Sequence, residues 1–234
     1  MTIFPRTLSF YRRPACAGVF LILAATALSV AGAPVRAAQD SGTPLTLLAF
    51  GDSLIHGYGL RAGETFPERL EAALRAKGYN VRVVNGGNSG DTTAAGLARL
   101  DWMLAEKPDM VLLELGANDA LRGLDPDRTY ANLDAILRRL KVAGIPVLLA
   151  GMKAPRNLGA DYARRFDAIF TRLARVHDVP LYPFFLDGVA LDPALNQDDG
   201  LHPNAAGVEV IVARILPNVI ALITQHTRAA AAGG

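Results

Sequence analysis

Four short polar segments hold the side chains of this chain best suited to act on a carbonyl carbon. They are Gly51-Asp52-Ser53-Leu54, the run NGGNSGDT with Gly90 near its end, GANDALRG with Asn118, and QDDGLHP with Asp199 three residues before His202. A serine hydroxyl is nearly inert at neutral pH unless a base removes its proton during attack. An imidazole such as that of His202 both accepts and returns a proton near neutrality. An acid beside it, Asp199 or its neighbour Asp198, could orient the ring, and Gly200 allows the tight turn this requires. Each residue alone has a structural reading: Asp52 and Ser53 as helix caps, Gly90 as a loop glycine, Asn118 as a turn residue, His202-Pro203 as a surface turn. Their joint occurrence, in this order, is what calls for a common explanation.

The elements that must position them follow from hydrophobic patterning. Leu45–Phe50, Val81–Val84, Met110–Leu115, Val147–Gly151 and Val179–Tyr182 are apolar runs without polar alternation, the pattern of strands buried on both faces. Between them lie segments with apolar residues three and four apart, the helical period. These run from Phe66 to Leu74, Leu97 to Leu104, Leu133 to Leu140, Phe166 to Leu173 and Val208 to Ile223. Asp125-Pro126-Asp127 reads as a helix opening, and Gly78 and Gly144 as helix exits. Five strand–helix repeats predict a three-layer α/β/α sandwich around a five-stranded parallel sheet, flavodoxin-like in outline. Ligands bind beyond the carboxyl ends of such strands, where the four polar segments fall.

Those segments, GDSLIHGYG, SGDTTAAGLARL, LELGANDALRG and QDDGLHPN, together with VPLYPFF, resemble the SGNH or GDSL-type serine hydrolases. The likeness covers nearly all of the chain after its first 37 residues, and within that superfamily it is greatest to the bacterial periplasmic thioesterase/lysophospholipase/arylesterase group. The resemblance implies Ser53 as nucleophile, His202 as base and Asp199, in preference to Asp198, as the ring's orienter. It implies an oxyanion hole made by the backbone N–H groups of Ser53 and Gly90 and the side chain of Asn118. It also implies an acyl-chain groove, for which Leu121 and Leu124 after Asn118, and Met152, Ala154, Pro155 and Leu158 after the fourth strand, are the candidate walls. The implied activity is hydrolysis of small acyl esters and thioesters. Two other readings stand beside it: a carbohydrate acetylesterase of the same superfamily, and a non-catalytic periplasmic binding domain.

Other chemistries fit less well. His56, three residues after Ser53, is a rival base by type but is read as exposed or pocket-lining. His177 and His226 fall on helices without partners and are read as surface residues. With no clustered His, Cys or acidic ligand motif, no metal or cofactor is expected. Gly86, Gly87 and Gly90 miss the Gly-x-Gly-x-x-Gly spacing, so no dinucleotide site is expected, and Asp91 is read as a helix cap with Thr92 and Thr93.

The chain has 234 residues, 51% of them hydrophobic, enough for one globular domain. Its N-terminus carries Arg6, Arg12 and Arg13, then an uncharged stretch from Ala15 to Ala33 and small residues near Val35-Arg36-Ala37. This is the layout of a cleaved export signal, with an uncleaved membrane anchor as the alternative. The expected organisation is a signal peptide over 1–37, a polar lead-in over 38–44, the hydrolase domain over 45–226 and a disordered tail over 227–234. Removing residues 1–37 takes away four arginines and no acid, turning the net charge from +2 to −2. The basic balance therefore belongs to the leader and gives no reason to expect a nucleic-acid partner or anionic membrane. Cys16, the single cysteine, lies within that leader, which excludes a thiol nucleophile from the remainder. A monomer in the periplasm or outside the cell, without a stable membrane anchor, is expected.

Overall fold

The computed structural model describes residues 42–233, so the expected signal peptide and most of the polar lead-in lie outside the described residues. Five parallel strands form a single sheet in the order β2-β1-β3-β4-β5. They are β1 (Leu45–Gly51), β2 (Val81–Gly87), β3 (Met110–Glu114), β4 (Val147–Ala150) and β5 (Leu181–Tyr182). The helices are α1 (Ser53–His56), α2 (Phe66–Ala76), α3 (Thr93–Leu104), α4 (Ala117–Leu121), α5 (Pro126–Val142), α6 (Ala160–His177) and α7 (Ala205–Gly233), with a 3₁₀ turn at Arg156–Leu158. Helix α2 packs on α7 over one face of the sheet, and α3, α5 and α6 pack together over the other. The expected α/β/α sandwich is the observed architecture.

Every residue of β3 and β4 is buried, as is β1 from Thr46 onward, so their unbroken apolar runs fill both sides of the central layer. Phe66 from α2 meets Phe185 edge-on at 5.0 Å between ring centroids, sealing the α2–α7 side. Local chemistry sets the helix starts. Thr65 and Glu68 close a capping box at α2, Thr92 caps α3 through its hydroxyl, and Asp125 caps α5 ahead of Pro126.

The ends of β1, β3 and β4 fall within one residue of the sequence expectation, and three other boundaries differ by more. Strand β2 continues through Asn85, Gly86 and Gly87, which pair with Ala49, Phe50 and Gly51. The neighbouring strand imposes extension on residues of low strand propensity. Strand β5 is shortened to two residues because Pro180 has no N–H to give the ladder; its carbonyl still accepts from Leu149 N–H. Helix α7 runs through Gly233, where a disordered tail was expected from residue 227. Alanine, which makes up residues 229–232, is the strongest helix former and extends a helix already anchored by packing. By length and composition α7 could cross a membrane, but half of that stretch is buried in the domain, with Val208, Ile211, Val212, Ile215, Val219, Leu222 and Ile223 facing the core.

Candidate active site

Strand β1 must stop at Gly51 because nothing larger fits. A Cβ there would sit 2.5 Å from the carbonyl and carboxylate oxygens of Glu114 on β3. The chain turns at once into α1, which Asp52 caps by accepting from Leu54 N–H at 3.0 Å. Ser53, half-buried, is the first residue of that helix, so its N–H has no helical acceptor.

The partner arrives from the loop before α7. His202 Nε2 lies 2.9 Å from Ser53 Oγ, and Nδ1 lies 2.6 Å from Asp199 Oδ2. With the ring proton on Nδ1, the imidazole donates to the carboxylate and accepts from the hydroxyl. The other carboxylate oxygen of Asp199 accepts the backbone N–H groups of Leu201 and His202, at 2.9 and 3.0 Å. Partial burial works to raise the Asp199 pKa, but these two N–H bonds and the imidazole outweigh it and hold the carboxyl at about 2. Asp198 is exposed and makes no hydrogen bond or ion pair among the described residues, so the geometry separates two acids that sequence left adjacent. The Tyr58 ring lies against the imidazole, 4.7 Å between centroids.

Asn118, near the start of α4, donates from Nδ2 to Asp52 Oδ2 at 3.3 Å, which leaves its second amide proton free. Burial pushes the Asp52 carboxyl up to about 6 despite its bonds to Leu54 N–H and Asn118. Gly90 takes a φ of +85°, a region only glycine enters without strain. It does not line the groove described below, but its carbonyl accepts from Arg122 Nη2 at 2.9 Å, tying its loop to the end of α4. The same loop is tied to β1 by Asn88 N–H and Arg99 Nη2, which both donate to the Gly51 carbonyl, at 3.1 and 2.8 Å. Asp91 was expected to cap α3 with Thr92 and Thr93; instead it pairs with Arg99 and Asn88, and Thr92 supplies the cap.

A groove of about 830 Å³ opens beside Ser53, Asn118 and His202. Leu121, Met152, Ala154, Pro155 and Leu158 line it as expected. Leu124 does not; it lies beyond the end of α4, where its carbonyl accepts from Tyr162 Oη at 2.8 Å. Phe184, Leu186, Leu191 and Leu201 complete the wall, contributed by the long loop after β5 that carries no strand or helix pattern. The β4 loop is fixed by Asp167, which accepts from Ala154 N–H at 2.9 Å and pairs with Arg156 at 2.8 Å. Arg156 is thus committed to a salt bridge and Arg122 to a carbonyl.

Sequence reading missed three supports. Gln197 Nε2 donates to the carbonyls of Tyr58 and Pro203. Asp119, buried beside Asn118, accepts from the N–H and hydroxyl of Thr93 and from the Thr129 hydroxyl, fixing α4 against α3 and α5. His177 is buried, not exposed, with Nε2 2.7 Å from Asp134 Oδ1. Its signal was its place on the apolar face of α6, four residues past Leu173. His56 is exposed, in line with one of its two readings. Among the described residues, no group of three or more His, Cys, Asp or Glu side chains could hold a metal ion.

Comparison with known proteins identifies the family. Residues 49–210 match the GDSL-like lipase/acylhydrolase family. The chain is 45% identical over 160 residues to thioesterase 1/protease 1/lysophospholipase L1 of Escherichia coli K12, covering 68% of this chain and 76% of that protein. It is 38% identical over 179 residues to esterase TesA of Pseudomonas aeruginosa, covering 76% and 89%. Among solved structures, the SGNH-hydrolase family esterase AlinE4 superposes with a TM-score of 0.66 at 51% identity, covering 77% of this chain and 96% of that one. The chain belongs to the GDSL-like lipase/acylhydrolase family of SGNH fold and is an acyl ester hydrolase.

Proposed function

We propose that the chain cleaves acyl esters and thioesters through an acyl-enzyme on Ser53. His202 is the base, Asp199 its orienter, and the N–H groups of Ser53 and Gly90 with the Asn118 carboxamide receive the oxyanion. The observation that carries this reading is the continuous Ser53–His202–Asp199 chain of hydrogen bonds, assembled from residues 149 positions apart at the mouth of an apolar groove.

Ser53 Oγ bonds to the carbonyl carbon as its proton passes to His202 Nε2, and the carbonyl electrons move to oxygen. Asp199, ionised at any working pH, stabilises the imidazolium and keeps the ring's tautomer. The oxyanion accepts from the three donors, each worth about 2.7–4 kcal/mol of barrier where such donors have been removed in other enzymes. Collapse expels the alcohol or thiol, which takes the proton from Nε2. Water then attacks the acyl-enzyme with His202 again as base, releasing the carboxylic acid.

Leucine, methionine and phenylalanine in the groove favour an acyl chain over the hydroxyls of a sugar acetate. The names of the relatives, thioesterase, lysophospholipase and esterase, support a range of acyl substrates. The basic-then-apolar leader supports export to the periplasm or beyond the cell, with cleavage near Ala37. Ser53→Ala tests the reading: hydrolysis of p-nitrophenyl butyrate is expected to disappear with the thermal melt unchanged. Wild type is expected to gain one fluorophosphonate adduct at residue 53. Retained turnover, or labelling elsewhere, would overturn the assignment.

A further inference from the structure

Behind the nucleophile two acids are packed against each other out of water. Asp52 and Glu114 stand at the ends of the neighbouring strands β1 and β3, and both are 0% exposed. Asp52 N–H donates to Glu114 Oε2 over a long 3.4 Å, which sets the two acidic residues side by side. No basic side chain forms an ion pair with either among the described residues. Two neighbouring carboxylates in a dry site cannot both be ionised at modest cost, so the pair must retain a proton.

The surroundings decide which acid retains it. Asp52 accepts from Leu54 N–H and from Asn118 Nδ2, both of which favour its anion. Glu114 has only the long contact, and its Oε1, fully buried, has no partner at all. A proton on Glu114 turns it into a donor beside the Asp52 carboxylate, whose charge it feels. Gly51 leaves the space this carboxyl occupies, since a Cβ there would lie 2.5 Å from Glu114 Oε2.

We propose that Glu114 is a positioning residue which remains protonated and donates to the Asp52 carboxylate, so that Asp52 holds the Asn118 carboxamide with its second N–H turned to the substrate oxygen. This rests on the oxyanion role assigned above to Asn118. Burial, and then the charge of Asp52, push the Glu114 carboxyl well above its ordinary range, in keeping with a neutral acid. The arrangement confines the site to one buried negative charge. A second one beside the forming oxyanion would oppose the transition state directly. His202 in turn favours the remaining charge on Asp52.

The test compares Glu114→Gln, which keeps a neutral donor of the same shape, with Glu114→Ala, on p-nitrophenyl butyrate. Because the contact acts on the transition state, Glu114→Ala is expected to lower kcat by about 10- to 100-fold with KM within about twofold. Glu114→Gln is expected to keep kcat within about threefold of wild type. Infrared spectra of wild type near neutral pH are expected to show a protonated-carboxyl C=O band that Glu114→Gln removes, a readout independent of turnover and of whether the alanine variant folds. Equal losses in the two variants, full activity in a folded Glu114→Ala, or absence of that band would overturn the proposal. Ser53→Ala run in parallel separates the failures. If it retains turnover, the site assignment falls; if it is inactive and the Glu114 variants behave alike, only the dyad falls.

Discussion

The Gln197 carboxamide donates to the main-chain carbonyl of Tyr58 at 2.7 Å, across 139 residues of sequence. The same nitrogen donates its other proton to Pro203, at 3.0 Å. One side chain therefore staples the loop leaving the Ser53 helix to the segment that follows His202. Gly59 makes room for it, since a Cβ there would lie 2.9 Å from Gln197 Cδ.

Gln197→Ala breaks both bonds and frees the His202 loop from the Ser53 side. The Ser53–His202 contact then samples misaligned geometries, and kcat/KM is expected to fall by about tenfold, since small misplacements of reacting groups carry large rate costs. Two lost hydrogen bonds predict a loss of about 1–3 kcal/mol in stability. Steady-state kinetics with denaturant unfolding measure both. Unchanged kinetics would show that the two loops hold their positions without the staple.

Asp199 sets how activity fails in acid. Its carboxyl is held at about 2, below the ordinary 3.8, so it stays ionised throughout the range in which an imidazole base gains a proton. On acidification kcat/KM is expected to fall along a limb of unit slope, one proton on the base. A limb of slope two above pH 4 would mean that Asp199 titrates with its partner. A depressed carboxyl stabilises the fold above its unfolded pKa and loses that contribution as pH falls towards 2. With 37% of the side chain exposed, solvent screening keeps the effect on stability small. Asp199→Asn should lower kcat by about 10³- to 10⁴-fold, since the ring then loses its fixed tautomer.

The sheet and the order of its helices were legible because β1, β3 and β4 are buried on both faces and so are written mostly in Leu, Val, Met, Phe and Ala. The triad segments were legible because a turn that must expose Ser53 between two buried stretches has few solutions. What stayed hidden was set by contacts distant in sequence. Glu114 sits inside an apolar strand and reads as an isolated charge until Asp52 is placed beside it. Asp119 passes for a turn residue until Thr93 and Thr129 converge on it. Phe184, Leu186 and Leu191 come from a loop without period, so nothing local marked them as groove wall, whereas Leu124 follows Leu121 closely but lies past the helix end that turns it away.

The groove wall missed by sequence offers the most direct test of the acyl-chain reading. Ala190, exposed on the loop after β5, lines the groove without belonging to the core, so a larger side chain can fill the channel with little disturbance to packing. Each methylene taken out of water contributes about 0.8 kcal/mol, so an octanoate ester seated in the groove gains at most about 3 kcal/mol over a butyrate ester. Ala190→Trp should deny much of that gain. The ratio of kcat/KM for p-nitrophenyl octanoate to that for p-nitrophenyl butyrate is expected to drop about tenfold or more, equivalent to at least about 1.4 kcal/mol. Val142→Trp, on the exposed end of α5 and outside the groove, is the matched control and should leave the ratio unchanged. An unaltered ratio in Ala190→Trp would place the acyl chain elsewhere, since a chain that fills this channel cannot ignore an indole built into its wall.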